Sequence, residues 1–463
     1  MKSPNKRKKL FFPIVTVVCL LLLVPYLKAE GEVVVTPSTV RVGMLQQASE
    51  VSFKTIGKYQ LINKSTNEII ENLSPNEKWT VNVEEDLIKL TKDGEQIGAF
   101  RGPILLREVK YQFSVLAGNG ALHKKEPGDD LVVEGAEQKV RMNTDLSQYR
   151  IQTSEEVVPI NPQGSLNLVV LQYNGSAQRY RGSFEFRQDK VGLNVINELS
   201  LEEYLYGVVP GEMPSDWPFE ALKAQSVAAR SYVLRQMGTY SAQGFDVLSD
   251  QYSQVYRGYD HETSSTNRAV EETAGMVATY LDKPINAFYH SSSGGYTENS
   301  EDVWQDKLPY IRWKEDPYDQ NNKHYGWKVT FTQEELLALL EKSGLQWIEV
   351  TDIEVLEYTA SGKRMRKVEL SGINQDEKPA VEQYFNADGV RNAFGLKSSP
   401  SKLEKEFDED KKLIRVTFKG DGWGHGLGMS QYGARAMAQD GYTFSDILQY
   451  YYTDIEIKPN YGL

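Results

Sequence analysis

Strand-length runs that alternate apolar with polar residues and break at Asx-Gly pairs constrain this chain more than any other feature. "WTVNVEEDLIKLTKDGEQIGAF" alternates and turns at Asp93-Gly94, and "LNLVVLQYNGSAQRYRGSFEF" turns at Asn174-Gly175. A side-chain period of two puts one face of a strand in a core and the other in solvent. Asp-Gly and Asn-Gly accept the positive φ angles that a two-residue hairpin needs. A chain punctuated in this way folds by antiparallel pairing. "VSFKTIGKYQLIN" reads the same way, "VGLNVINEL" is a further strand, and "VLEYTASGKRMRKVEL" is a hairpin turning at Ser361-Gly362.

The period changes after Pro218, a residue suited to a first helical position. Leu222, Ser226, Ala229, Val233 and Met237 recur at helical spacing. Ala221, Ala224, Ala228 and Ala229 keep this helix slim, so it can lie close to a neighbour. "TFTQEELLALLEKSG" carries a capping box, Thr332 with Glu335, and a glycine stop at Gly344. "MSQYGARAMAQDG" reads as the last helix, ending at Gly441. The expected class is α+β: mostly antiparallel β-sheet with a few packed helices, preceded by a β-rich N-terminal region and one N-terminal transmembrane helix.

That helix is read at Leu10–Leu27, "LFFPIVTVVCLLLLVPYL", behind the basic start "MKSPNKRKK". The length approaches the ~20 residues that span a bilayer, and the basic flank marks an export signal or a signal anchor. Pro13 and Pro25 shorten the helical part. Leu27 is a poor residue for cleavage after Ala29, so a retained anchor is the favoured reading, with everything after Glu30 outside the cell membrane. Cleavage would release the chain to the cell wall. The only cysteine, Cys19, lies in this segment, so the exported part has no disulfide. A polar, Pro-containing passage at Ser154–Gly164 suggests a division into 1–30 (basic tip and anchor), 31–160 (β-rich) and 165–463. Acidic residues outnumber basic ones, 64 to 52, for a net charge of -12 with no long basic run, which argues against a nucleic-acid partner.

Several chemistries are absent. There is no G-x-x-x-x-G-K-[ST], and the alternate glycines of "GDGWGHGLGMS" complete no G-x-G-x-x-G. No H-E-x-x-H occurs. The five histidines (123, 261, 290, 324 and 425) are scattered, and nothing in their spacing supports a metal site from His261, His290 and His425. "YHSSSGG" makes no G-x-S-x-G elbow.

What remains is a lone carboxylate. In "YLYGVVPGEMPSDWPFEALKAQSVAARSYVLRQM", Glu212 stands among Val208, Val209, Pro210, Met213, Pro214 and Trp217. Apolar neighbours disfavour the charged form and raise the pKa, as a general acid near neutral pH requires. The flanking prolines hold the side chain's direction. In the opposing reading, Glu212 bonds the free amides at the helix start near Pro218, where the dipole would lower its pKa. The acid role requires a side chain that faces a cleft and is not locked onto main-chain nitrogens.

Two further stretches have chemical character. In "GWGHGLGMSQYGARAMA" the glycines let backbone approach a ligand, Trp423 and His425 point the same way if the loop is extended, and Ser430 caps the following helix. The plain alternative is a loop crossing packed structure, with His425 a satisfied core residue. "NAFYHSSSGGYTENSEDVW" ends in a small polar loop followed by Glu298, Glu301 and Asp302, and its plain alternative is a solvated turn.

Together with "PYIRWKEDPYD", and taken in order, these segments resemble the family of stage II sporulation protein D and the amidase enhancer LytB. The resemblance covers roughly Ser165 to Leu463. The region from Val33 to Ile160 resembles the β-rich part ahead of the core in longer, LytB-like members. The resemblance implies peptidoglycan work outside the membrane, in sporulation or wall turnover. Glu212 matches the catalytic acid/base of a lytic transglycosylase that cleaves MurNAc-GlcNAc strands to 1,6-anhydro products. The muramic 6-hydroxyl is then the nucleophile, and no second carboxylate is required. His290, Ser291, Ser292, Trp423, His425, Ser430 and Gln431 are the motif-matched substrate contacts. Some members bind zinc through cysteines and histidines, but Ser253 and Ser293 stand at the cysteine positions here, and Tyr252 and Tyr296 at the histidine positions. No metal and no cofactor are therefore expected. The implied partners are peptidoglycan glycan strands, a cell-wall amidase and the membrane through the N-terminal helix. The alternative from the same resemblance is a non-catalytic amidase enhancer that binds glycan and stimulates an N-acetylmuramoyl-L-alanine amidase. A third reading is a scaffold that keeps the fold without turnover.

Overall fold

The computed structural model describes residues 39–109, 166–320 and 322–461, and between the first two ranges only the backbone of three short hairpins. One strand of the third hairpin, Val157–Pro159, falls in the passage read as a boundary. The anchor read at Leu10–Leu27 lies outside the described residues. Among the described residues, no helix is long and apolar enough to cross a membrane.

Antiparallel pairing dominates, as the Asx-Gly punctuation requires. Asp93 and Gly94 take φ of 47° and 93°, and Asn174 and Gly175 take 47° and 78°, which is the two-residue hairpin geometry. A further hairpin turns at Glu85-Asp86, with φ of 49° and 64°, inside what reads as one alternating run. "VSFKTIGKYQLIN" does not form one hairpin. Glu50–Ile56 enters a six-stranded sheet, and Tyr59–Asn63 enters a seven-stranded one.

The seven-stranded sheet runs Val247–Leu248, Thr39–Ala48, Leu193–Ser200, Ser183–Gln188, Ile104–Glu108, Tyr59–Asn63, Glu68–Leu73. The six-stranded sheet runs Ser176–Tyr180, Leu168–Tyr173, Glu50–Ile56, Trp79–Glu84, Leu87–Lys92, Glu95–Phe100. Both sheets draw strands from each side of the 110–165 stretch. Their shared core includes the buried rings of Phe53, Trp79 and Phe186, with Phe53 stacked 5.4 Å from Phe186 and 6.5 Å from Trp79. Each such ring contributes about 1.5–3 kcal/mol by leaving water. With Cys19 the sole cysteine, burial of this kind and not a cross-link sustains the fold.

The strand Leu193–Ser200 delivers the chain into α1 (Leu201–Glu212), capped by Ser200 and Glu203. Sequence periodicity does not announce this helix, because Gly207, Pro210 and Gly211 interrupt it. The two glycines are there for close approach. A Cβ on Gly207 would lie 2.5 Å from the Tyr256 ring, and one on Gly211 would lie 2.6 Å from the Val255 carbonyl. Helix α2 (Phe219–Gln236) follows Pro218, and Ala221, Ala224, Ala228 and Ala229 are wholly buried. α3 (Ser264–Glu272) packs beside α1 and α2, and α4 (Ser300–Val303) is a single turn.

Residues 327–420 form a lobe with its own core, built from two three-stranded sheets, α5 (Gln333–Lys342) and α6 (Ala387–Ala393). The expected capping box at Thr332 and Glu335 is present, and Gly344 stops the helix at φ 82°. α7 (Gln431–Gln439) is the helix expected to be last, but α8 (Phe444–Tyr451) follows it, started by a capping box of Thr443 and Asp446. The second core lies where α2, α7 and α8 meet the 278–311 segment.

Candidate active site

Glu212 is the final residue of α1 and is half-buried, with Val208 and Val209 enclosed one turn earlier. Its Oε1 accepts the Val255 amide at 2.7 Å. Gly211, by admitting the Val255 backbone, is what lets that amide reach it. The Tyr289 hydroxyl bonds the same carboxyl, and Gln254 Nε2 donates to Tyr289 at 3.2 Å while Gln254 Oε1 accepts from the Tyr204 hydroxyl at 3.2 Å. Gln431 Nε2 donates to the Glu212 main-chain carbonyl at 3.0 Å and lies 3.3 Å from Gln225 Oε1.

Burial pushes the Glu212 pKa above the ordinary carboxylate value, against the Val255 amide, the Tyr289 hydroxyl and the Arg257 charge, which pull it down. The carboxyl also sits at the C-terminal end of α1, where the helix carbonyls further disfavour negative charge. It does not bond the amides at the start of α2, the arrangement that would have lowered its pKa. It does bond one main-chain nitrogen, the feature named above as adverse. That bond occupies Oε1 alone, and a neutral carboxyl can accept there through its carbonyl oxygen while its hydroxyl donates elsewhere.

The remaining motif residues divide by burial. Ser292 and Ser430 are buried, and both donate to Asp319, at 3.1 and 2.9 Å. Ser430 also caps α7, accepting from Gly433 at 3.2 Å. His290 is buried and held neutral by desolvation, with Nδ1 3.1 Å from the Leu427 carbonyl, so the proton sits on Nδ1. The Ser291 carbonyl accepts from the Tyr432 amide at 3.0 Å. Trp423 is 46% exposed, and its backbone bridges to Ser292.

His425 is half-buried, with its pKa pushed down to about 4 by burial and by Arg391 and Arg364, against Asp388. The loop is not extended, so Trp423 and His425 do not point together. Gly422, Gly424, Gly426 and Gly428 all take positive φ, 89°, 109°, 84° and 66°. Trp423 meets His324 at 4.9 Å, whereas His425 stacks at 5.1 Å from Trp304 and 5.5 Å from His290. A pocket of about 420 Å³ lined by Asn286, Phe288, Trp304, Leu308 and Asn386 lies beside this histidine stack, not at Glu212.

Sequence reasoning missed the carboxylates that hold these loops. Asp319, fully buried, accepts from Ser292, Ser430, Asn322 and the amides of Ser293 and Gly294. Asp316 accepts from Ser293 at 2.9 Å and from Tyr451, and burial, then the charge of Asp319, pushes it up to about 6. Both lie in "PYIRWKEDPYD", and that segment was the available signal. Tyr289, Gln254 and the Val255 amide were also missed.

At the two serine positions read above against the family's zinc pattern, the hydroxyls are bonded separately. Ser253 accepts from the Leu248 amide at 3.0 Å, and Ser293 donates to Asp316. Tyr252 is exposed, and Tyr296 lies under Lys363 at 4.7 Å. Among the described residues no group of three or more His, Cys, Asp or Glu is placed to hold a metal ion. Gln225 Nε2, His290 Nε2 and His324 Nδ1 are buried here without partners.

Known proteins share this arrangement of segments. Residues 189–280, which span α1, Glu212 and α2, match the Stage II sporulation protein family, and residues 298–428 match a domain of unknown function. Stage II sporulation protein D of Bacillus subtilis (strain 168) is 32% identical over 278 residues, 57% of this chain and 76% of that protein. The same-named protein of Bacillus amyloliquefaciens is 32% identical over 278 residues, 57% of this chain and 75% of that protein. The amidase enhancer of Bacillus subtilis (strain 168) is 33% identical over 286 residues, 54% of this chain but only 39% of that longer protein. The chain belongs to the stage II sporulation protein D family.

Proposed function

We propose that this protein is a membrane-anchored, extracytoplasmic lytic transglycosylase that remodels peptidoglycan in sporulation or wall turnover, with Glu212 as its single acid/base. The observation that carries the reading is a desolvated carboxyl at the end of α1, oriented by Val255 and Tyr289, with its pKa raised by burial. Glu212 gives its proton to the glycosidic oxygen between MurNAc and GlcNAc as the bond from that oxygen to muramic C1 breaks. The muramic 6-hydroxyl then closes on C1, and the Glu212 carboxylate takes the hydroxyl proton. The acid is restored, and the products are a 1,6-anhydro end and a free GlcNAc end, with no water consumed. Trp423 and Gln431 lie along the strand's path, and His290, Ser291, Ser292, His425 and Ser430 hold the loops that carry them.

A second reading has its own support. A relative covering 54% of this chain is named an amidase enhancer, so this protein would bind glycan and stimulate a wall amidase. Digestion of purified glycan strands separates the two. Glu212→Gln keeps the acceptor for Val255 but carries no proton to give, so anhydro-muramic product should fall about 10²–10⁴-fold. Equal product from both proteins removes Glu212 from the chemistry. No product from either, with an added amidase accelerated, establishes the enhancer.

A further inference from the structure

A line of rings leads away from the acid. Trp217, five residues after Glu212, lies 5.1 Å from Tyr432, which follows Gln431 on α7. Tyr432 lies 5.3 Å from His324, and His324 lies 4.9 Å from Trp423 on the glycine loop. The row is continuous across three separate segments of chain. Its two ends carry cations, with Arg435 over Trp217 at 5.2 Å and Lys397 over Trp423 at 5.4 Å. Trp423 is 46% exposed at one end, and Trp217 and Tyr432 are half-buried. His324, only 4% exposed, leaves its Nδ1 without a hydrogen-bond partner between the Tyr432 and Trp423 rings. A buried polar atom left unpaired is costly.

We propose that the row Trp217–Tyr432–His324–Trp423 is a saccharide track that holds the glycan strand on one side of Glu212. It binds pyranose rings by stacking and the strand's carboxylates through Arg435 and Lys397. This deepens the glycan reading of Glu212 and rests on it. Stacking suits a repeating polymer, because each sugar presents an apolar ring face and the partner rings are rigid and wide. Cations at both ends of the row suit a strand that bears lactyl or peptide carboxylates better than a neutral polysaccharide.

The test is equilibrium binding of the full-length protein to purified glycan strands, with a neutral N-acetylglucosamine tetrasaccharide as second probe. Trp423→Ala and Tyr432→Ala should each weaken glycan binding about tenfold and raise KM with little change in kcat. Trp423→Tyr should recover most of that loss, since it restores a stacking face. Trp313→Ala, at a 43% exposed tryptophan outside the row, should bind as the parent does. Unchanged binding in both alanine variants overturns the track, and so does a loss that Trp423→Tyr fails to restore. Neutral tetrasaccharide bound as tightly as glycan strands overturns the role of the two cations. The acid reading is judged separately. Glu212→Gln should bind strands normally and fail to cleave them, so undiminished cleavage by that variant sinks the acid while the binding results stand.

Discussion

Glu298 offers a test of how the glycine loop is held. Its side chain is wholly enclosed. Oε1 accepts from Ser361 at 2.7 Å and lies 3.5 Å from Arg364 Nε, while Oε2 has no partner. Arg364, also enclosed, reaches the carbonyls of Ser293 at 2.8 Å and Gly424 at 3.2 Å, and the Glu298 amide donates to the Gly426 carbonyl at 2.9 Å. The pair therefore ties the serine loop to the glycine loop. Burial pushes the Glu298 carboxyl up to about 7, against the pull of Arg364, Ser361 and Thr359. Such a group binds its proton more tightly when the chain is folded than when it is unfolded, so its effect is a loss of stability as pH rises from 4.5 towards 7. At about 1.4 kcal/mol per pH unit the full loss is about 3 kcal/mol, of which about 2–3 kcal/mol falls between pH 5 and pH 8. Glu298→Gln keeps the size and an acceptor for Ser361 but does not titrate. In urea denaturation the parent should lose about 2–3 kcal/mol more than the variant between pH 5 and pH 8. Asp316, raised in the same direction to about 6, is present in both proteins and cancels in the comparison. Parallel pH profiles would refute the account, since they would show Glu298 charged at no cost in its enclosed site.

Three further substitutions test the frame around the site. Asp319→Ala strips the acceptor from Ser292, Ser430, Asn322 and two amides, and should lower stability by about 3–5 kcal/mol in chemical denaturation; a loss near zero would show that those donors find other partners. Gly428→Ala would force a side chain onto φ 66° with its Cβ 2.1 Å from the Phe288 carbonyl, and should lower stability by about 2 kcal/mol or more, whereas Gly441→Ala, at φ 89° in open space, should cost only about 1 kcal/mol. Equal melting of the two alanine variants would contradict the close approach at Gly428.

What could be read from the sequence was what is local. The hairpins at Asp93-Gly94, Asn174-Gly175 and Ser361-Gly362 follow from dipeptides whose backbone preference is intrinsic, and α5 follows from its own cap. Helix α1 was hidden because Gly207, Pro210 and Gly211 weaken its propensity, and tertiary contact with Tyr256 and Val255 overrides that weakness. The partition of "VSFKTIGKYQLIN" between two sheets depends on strands far along the chain, which no local period encodes.

The same distinction explains the site. Gln431, which bonds the Glu212 carbonyl, lies in a motif that the sequence displays. Asp316 and Asp319 were not, because "RWKEDPYD" has the composition of a solvated turn, and only the fold shows that its last two carboxylates are buried. Alternating glycines suggest an extended ligand loop. Four positive φ angles make it a compact crossing instead, one that sends Trp423 towards the row of rings and His425 into the histidine stack. Five donors, from serine hydroxyls, the Asn322 side chain and two main-chain amides, converge on the buried Asp319 carboxyl. Motif order thus indicated which segments come together, while the acid that fastens them was visible only where its donors converge.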